Sequence, residues 1–314
     1  MKRHFRRGLV VLVLLALAAA VPAALAIGDG PDAAVPGVAG GVPVWGPATL
    51  PAPAVSASAG TRTEIVRLSS GGRPRTAIVL TPRADQPVPL VVVLHGRNTT
   101  PVQELVRTGL TDLAANGSAV LAYPAGIGRS WNATTGCCAM AAKQKVNDVA
   151  FLRVLLTTIG KHVPVDPSRI YLVGYSNGGR LALTAACAVP GIAGVATYGT
   201  AQPARCTANR PPPRVFIGYG SADPHAAPGH VPGHGTTGPV TAADWRSVEG
   251  CDDAPSRTTV GPATVTEWTS CRGDGRVELV RWDGLTHRWP GVGVVPADAT
   301  GRALMWSFLT GRST

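Results

Sequence analysis

A mostly parallel, doubly wound α/β sheet is predicted by three features of this 314-residue sequence. From residue 61 onward, short β-branched or apolar runs alternate with stretches of helical spacing, the pattern of βαβ units. Two runs, Pro89–Leu94 and Ala119–Ala122, are apolar throughout, as in strands covered on both faces. The residues able to carry chemistry fall just after strands, at the sheet end where such folds place ligands.

The chain begins outside this domain. Lys2, Arg3, Arg6 and Arg7 precede an uncharged apolar run from Gly8 to Val21, and Ala24-Leu25-Ala26 follows. This order predicts a secretory signal peptide over 1–26, cleaved after Ala26, so that the membrane is met only transiently during export. An uncleaved anchor is the competing reading, because the run nearly reaches spanning length. Residues 27–60 are rich in Ala, Pro and Gly, with Asp29 and Asp32 as their only charges, and read as a disordered spacer. Residues 61–314 then form the α/β domain. The formal net charge is +11, and the domain stays basic once leader and spacer are set aside. No aromatic-interleaved basic cluster accompanies that charge, so nucleic acid is not an expected partner.

Within the domain, Thr63–Leu68 and Arg75–Leu80 read as strands joined by the turn Ser69-Ser70-Gly71-Gly72. Pro89–Leu94 is a buried strand, and Val102–Ala115 has helical spacing through Leu105, Leu110 and Leu113. Ala119–Ala122 is a second buried strand, followed by a helix over Asp148–Ile159 with Asp148 as its N-cap. Ile170–Val173 is a strand that stops at Gly174, and a helix begins after Gly179. Strands follow at Ile192–Tyr198, Val215–Tyr219 and Val277–Trp282, with helices near Ala242–Val248 and Asp298–Leu309.

The turn between the Ile170 strand and its helix organises the rest. Gly174-x-Ser176-x-Gly178 has the spacing of a nucleophile elbow, in which a strained serine needs neighbours without a Cβ. With 38 glycines in the chain the bare spacing is a weak signal, and the strand before and helix after give it weight. Asp223 follows the Val215 strand and His287 the Val277 strand, which completes the chain order serine, acid, histidine of the α/β-hydrolase fold. A serine hydroxyl attacks only when an imidazole takes its proton, and a buried carboxylate must hold that imidazole in the right tautomer. Ser176 is thus the expected nucleophile, His287 the base and Asp223 its orienting acid, with Asp283 the rival carboxylate. The backbone N–H groups of Arg97 and Asn177 are the expected oxyanion hole. His225, His230 and His234 lack a compact ligand spacing and read as a loop rim, so no metal or other cofactor is expected.

These residues resemble the secreted esterases related to polyhydroxybutyrate depolymerases and feruloyl esterases. The resemblance spans roughly 75–295. It is carried by Leu94-His95-Gly96, Tyr123-Pro124, Ser130-Trp131-Asn132, Gly136-Cys137-Cys138, Asn147-Asp148-Val149 with Phe151, Val165–Tyr171, the elbow, and His287-x-Trp289-Pro290-Gly291. It implies the same fold and triad and no metal. Arg97 stands where relatives often carry cysteine or a small residue, and Asn147 replaces a second acidic residue. Six cysteines in an exported chain favour disulfides, in any of 15 connectivities. The resemblance implies Cys251 with Cys271. Cys187 and Cys206 bracket the strand after the elbow helix and make a second candidate pair, which leaves Cys137 and Cys138 vicinally bridged or free.

His95, Trp131 and Trp289 are candidate substrate-binding residues. The segment between Tyr123 and Asn147 follows a strand end and should overhang the serine, placing the two indoles as aromatic walls or as packing. The predicted function is a secreted serine esterase acting on short-chain, hydroxyalkanoate or hydroxycinnamoyl esters of extracellular polymers. A serine peptidase of the same fold and an idle surface-binding domain are the alternatives, and the oligomeric state is left open.

Overall fold

The computed structural model describes residues 42–48, 50, 60–133, 137–204, 206, 214–229, 236–252 and 254–311. The leader over 1–26 lies outside the described residues, as does most of the 27–60 segment.

Eleven strands form one sheet. In chain order they are β1 (Val44–Pro47), β2 (Arg62–Ser70), β3 (Arg73–Thr81), β4 (Val88–Leu94), β5 (Val120–Pro124), β6 (Val165–Tyr175), β7 (Ile192–Tyr198), β8 (Arg214–Gly220), β9 (Ser256–Val260), β10 (Ala263–Trp268) and β11 (Val277–Trp282). Their spatial order is β1-β2-β3-β5-β4-β6-β7-β8-β11-β10-β9. The six from β5 to β11 run parallel, and antiparallel strands extend the sheet at both edges. The predicted mostly parallel α/β-hydrolase sheet is the one observed.

The central strands explain the three-layer packing. Successive side chains of β4 point to opposite faces: Leu90, Val92 and Leu94 pack with Phe151, Leu155, Leu181 and Trp245. Val91 and Val93 pack on the other face with Leu105, Leu113, Leu304 and Phe308. The helices that cover these faces are α1 (Pro101–Thr108), α2 (Thr111–Ala115), α3 (Ala139–Lys143), α4 (Asp148–His162), α5 (Asn177–Ala188), α6 (Gly238–Glu249) and α7 (Gly301–Thr310). Among the described residues, no helix is long and apolar enough to cross a membrane.

Three expectations are corrected, and one hairpin is added. Residues 44–47 are not spacer but an edge strand: they pair with Glu64–Arg67, and the Trp45 ring stacks on His162 at 3.9 Å. The single helix expected over 102–115 is two, because Gly109 adopts the left-handed conformation (φ 60°) and caps α1. Asn147 rather than Asp148 caps α4, its side chain accepting from the Ala150 N–H. Asp148 instead turns inward to a fully buried ion pair with Arg75 at 2.8 Å. The hairpin β9–β10 was not expected, although Gly261-Pro262 between two Thr/Val-rich runs is its signal.

Three disulfides are present: Cys187–Cys206, Cys251–Cys271 and the adjacent Cys137–Cys138. The first two are the expected pairs, and the third resolves the vicinal alternative in favour of a bridge.

Candidate active site

The C-terminal ends of β4, β6, β7, β8 and β11 converge on one spot. Ser176, between β6 and α5, has φ 54° and ψ −116°, a region that L residues enter only under constraint. The constraint is visible around it. Ser176 N–H donates to the Tyr198 carbonyl at 2.9 Å, and Thr200 Oγ1 donates to the Ser176 carbonyl at 2.5 Å. A Cβ on Gly178 would strike the Leu94 carbonyl, so the α5 N-terminus can lie against β4 only with glycine there.

The turn aims Ser176 Oγ at His287 Nε2, 2.9 Å away. His287 Nδ1 lies 3.0 and 2.9 Å from the two Asp223 carboxylate oxygens. Asp223 is 0% exposed and also accepts the His225 N–H at 2.8 Å. Asp283, the rival acid, is exposed and pairs with Arg281 at 2.9 Å. Aromatic residues hold the histidine loop in place: Tyr175 Oη donates to the His287 carbonyl at 2.7 Å, and Tyr198 Oη to the Thr286 carbonyl at 3.0 Å. Neither tyrosine was singled out from the sequence. Their positions at the last residues of β6 and β7 were the available signal. The His225 ring packs edge-on to His287 at 4.6 Å, and burial followed by the neighbouring His287 lowers its pKa. His230 and His234 lie outside the described residues.

Arg97 and Asn177 flank the serine, and no backbone acceptor among the described residues takes either N–H. Asn177 is locked by its own side chain: Oδ1 accepts the Trp131 N–H at 2.8 Å and Nδ2 donates to the Trp131 carbonyl at 3.1 Å.

His95 and Trp131 do not line the site. His95 is 1% exposed, its Nε2 accepting the Gly126 N–H at 3.0 Å with Nδ1 2.8 Å from the Gly96 carbonyl. That pairing places the proton on Nδ1, and burial lowers the pKa to about 4, so the ring is neutral. The Trp131 indole is fully buried and donates from Nε1 to the His95 carbonyl at 2.8 Å. Both residues brace the Gly96–Arg97 turn from behind, because a large ring beside an apolar sheet end is more stable buried than walling a solvent-filled groove. Trp289 is also mostly buried, against Tyr175 and Tyr198, but it borders a cavity next to His287.

The dienelactone hydrolase family model matches residues 76–234, which include Ser176 and Asp223. The chain belongs to the dienelactone hydrolase family. Two curated relatives are esterases by name. The chain is 32% identical over 140 residues to the candidate esterase NocK of Nocardia uniformis subsp. tsuyamanensis, covering 43% of this chain and 40% of that protein. It is 26% identical over 116 residues to feruloyl esterase D of Neurospora crassa, covering 37% of each. The matched segments thus span about two fifths of those relatives. Among solved structures, an acetyl xylan esterase from Aspergillus awamori superposes with a TM-score of 0.54 at 17% identity, over 70% of this chain and 91% of that one. An S-formylglutathione hydrolase from Agrobacterium tumefaciens gives 0.50 at 16%, over 73% and 89%. At these identities the likeness is one of fold, that of the α/β-hydrolases.

Proposed function

We propose that this dienelactone hydrolase family member is an exported serine esterase that works through an acyl-enzyme on Ser176. The observation that carries the reading is the unbroken Ser176–His287–Asp223 relay, with both links near 2.9 Å. His287 Nε2 takes the hydroxyl proton as Ser176 Oγ attacks the ester carbonyl, and Asp223 stabilises the imidazolium. The Arg97 and Asn177 N–H groups receive the oxyanion, each such donor contributing about 10²–10³ in turnover. His287 returns the proton to the departing alcohol, and a water molecule then releases the acid by the same route. Export is supported by the basic-then-apolar N-terminus and by three disulfides, which persist in oxidising compartments.

The substrates proposed are short-chain or hydroxycinnamoyl esters of extracellular polymers. With Trp131 buried behind the oxyanion turn, an aromatic wall is left to Trp289, and the hydroxycinnamoyl option leans on the feruloyl esterase relative. The test is a fluorophosphonate label with a p-nitrophenyl ester series from acetate to laurate, alongside methyl ferulate. Wild-type protein should label and prefer the short esters. Ser176→Ala should lose the label and about 10⁶ in turnover. Labelling that persists in Ser176→Ala removes this serine from the mechanism, and a preference for laurate would point to lipases.

A further inference from the structure

Two of the three disulfides tie separate elements together, with sequence separations of 19 and 20. Cys137–Cys138 joins neighbours, with a separation of 1, so it closes no loop of chain and takes little freedom from the unfolded state. What it fixes is local: two half-buried side chains at the entry to α3. Those side chains abut the elbow. Asn177 Nδ2 lies 4.0 Å from Cys137 Sγ, the reach of a weak N–H···S contact. Cys138 N–H donates at 3.2 Å to the Trp131 carbonyl, the same oxygen that accepts Asn177 Nδ2 at 3.1 Å. Asn177 Oδ1 in turn accepts the Trp131 N–H, so among the described residues the whole Asn177 amide is held by Trp131 and Cys137. The opposite side of the serine reaches the same segment. Asn98 N–H donates to the Arg129 carbonyl at 2.8 Å, and Trp131 Nε1 to the His95 carbonyl at 2.8 Å. Ser130 Oγ accepts the Ala141 N–H at 3.1 Å and so joins α3, which Cys138 opens, to this stretch.

Resting on the serine-esterase reading above, we propose that the bridged Cys137–Cys138 pair is a positioning element of the oxyanion hole, acting through the side chain of Asn177. An oxyanion donor works by being aimed before charge develops, and a small misplacement forfeits much of its effect. Asn177 is the first residue of α5, where no preceding turn of helix holds the backbone, so its own amide does that work. The amide is fixed only as well as its partners are. Bridged, the two sulfurs share one arrangement, and Cys137 Sγ stays beside Nδ2 while Cys138 N–H stays on the Trp131 carbonyl. As separate groups each side chain turns about its own χ1, and the contacts on Asn177 and Trp131 loosen together. The bridge thus supports the first shell of the site from behind, as a rigid second layer does.

Replacing the pair by serine, Cys137→Ser with Cys138→Ser, tests this on p-nitrophenyl acetate. Turnover should fall about tenfold, part of what a lost oxyanion donor costs, with KM nearly unchanged because the interaction is made in the transition state. Phenylboronic acid, whose tetrahedral adduct on Ser176 puts an oxygen where the oxyanion forms, should bind more weakly by about the same factor. Asn177→Ala should show a similar loss. Combining it with the serine pair should cost nothing further, because both changes break one chain of contacts. Losses that multiply, or wild-type kcat in the serine pair, overturn the proposal. A serine pair that does not fold would assign the bridge to stability and overturn it too, and wild-type kcat in Asn177→Ala overturns it without touching the bridge. Endpoint fluorophosphonate labelling reads the serine separately. Full labelling with undiminished kcat in the serine pair sinks this inference alone, whereas wild type with neither label nor turnover sinks the esterase reading with it.

Discussion

Gly199 leaves the space that the imidazole fills. A Cβ there would sit 2.8 Å from His287 Cε1 and 3.1 Å from Asp223 Oδ2, and φ is already +64°. Neither neighbour can yield without lengthening the Asp223–His287–Ser176 relay, and Å-scale misplacement of a reacting group costs about 10²-fold. Gly199→Ala should therefore lower ester turnover by about that factor while destabilising the fold by only 1–3 kcal/mol, the approximate cost of a non-glycine residue at such a backbone angle. Initial rates and thermal melts of the variant check both, and wild-type turnover would show that the relay has slack. At this scale the sequence located Ser176 from the elbow spacing and His287 from its strand end. It also favoured Asp223 over Asp283, because a triad acid is expected on the separate loop after a later strand; in the structure Asp283 is exposed and pairs with Arg281.

Elements hold the site through their connections. The Cys251–Cys271 bridge ties the end of α6 to the end of β10, the neighbour of the β11 strand that presents His287. Its closed loop, with a sequence separation of 20, contributes about 3 kcal/mol in the chain-entropy model. Replacing both cysteines by serine should lower the denaturation midpoint accordingly and leave the Ser176–His287 geometry, and hence kcat, nearly intact. A variant as stable as wild type in denaturant titration would show that packing of β9–β10 on β11 suffices. A second tie is the Arg75–Asp148 pair, in which Asp148 also accepts the Asn132 N–H at 2.8 Å. It fixes the segment carrying Trp131, and through Asn177 the start of α5, to the β3 side of the sheet. From the sequence this aspartate read as a helix cap, since the cap pattern is local and its partner lies 73 residues away.

Across the molecule, buried carboxyl groups set the response to pH. Burial pushes the Glu104 pKa up to about 7, against a smaller opposing pull from Arg107 and the Gly96 N–H. The groups facing it are Arg107 on its own helix, Tyr123 on β5 and Tyr175 on β6. Glu249 and Glu278 are pushed up to about 8, again mainly by burial. A carboxyl that holds its proton more tightly when folded loses stability as pH rises from its ordinary value to the raised one. For Glu104 that window runs from the usual carboxylate range to about pH 7, with a loss of about 3 kcal/mol complete above it. Glu104→Gln should therefore melt well above wild type at pH 8 and close to it at pH 5. An equal shift in Tm at both pH values would mean that the carboxyl is not the titrating group.

Local pattern was enough to read the α/β class, the elbow, the serine and the histidine, because strand hydrophobicity, turn glycines and strand ends are written within a few residues of each other. The same local reading missed β1 and the β9–β10 hairpin, which are strands chiefly because a neighbour offers them hydrogen bonds: short exposed runs such as Ser256–Val260 carry little pattern of their own. Tertiary structure alone decided which rings are buried. Trp131 and His95 have the composition of a binding site, yet contacts from residues 31 to 46 positions away turn both into supports for the Gly96–Arg97 turn. It also gathered Arg107, Arg288 and Arg302 around one cavity. Their convergence comes from packing the end of α1 against the loop before α7, and sequence periodicity holds no record of a distance between elements so far apart in the chain.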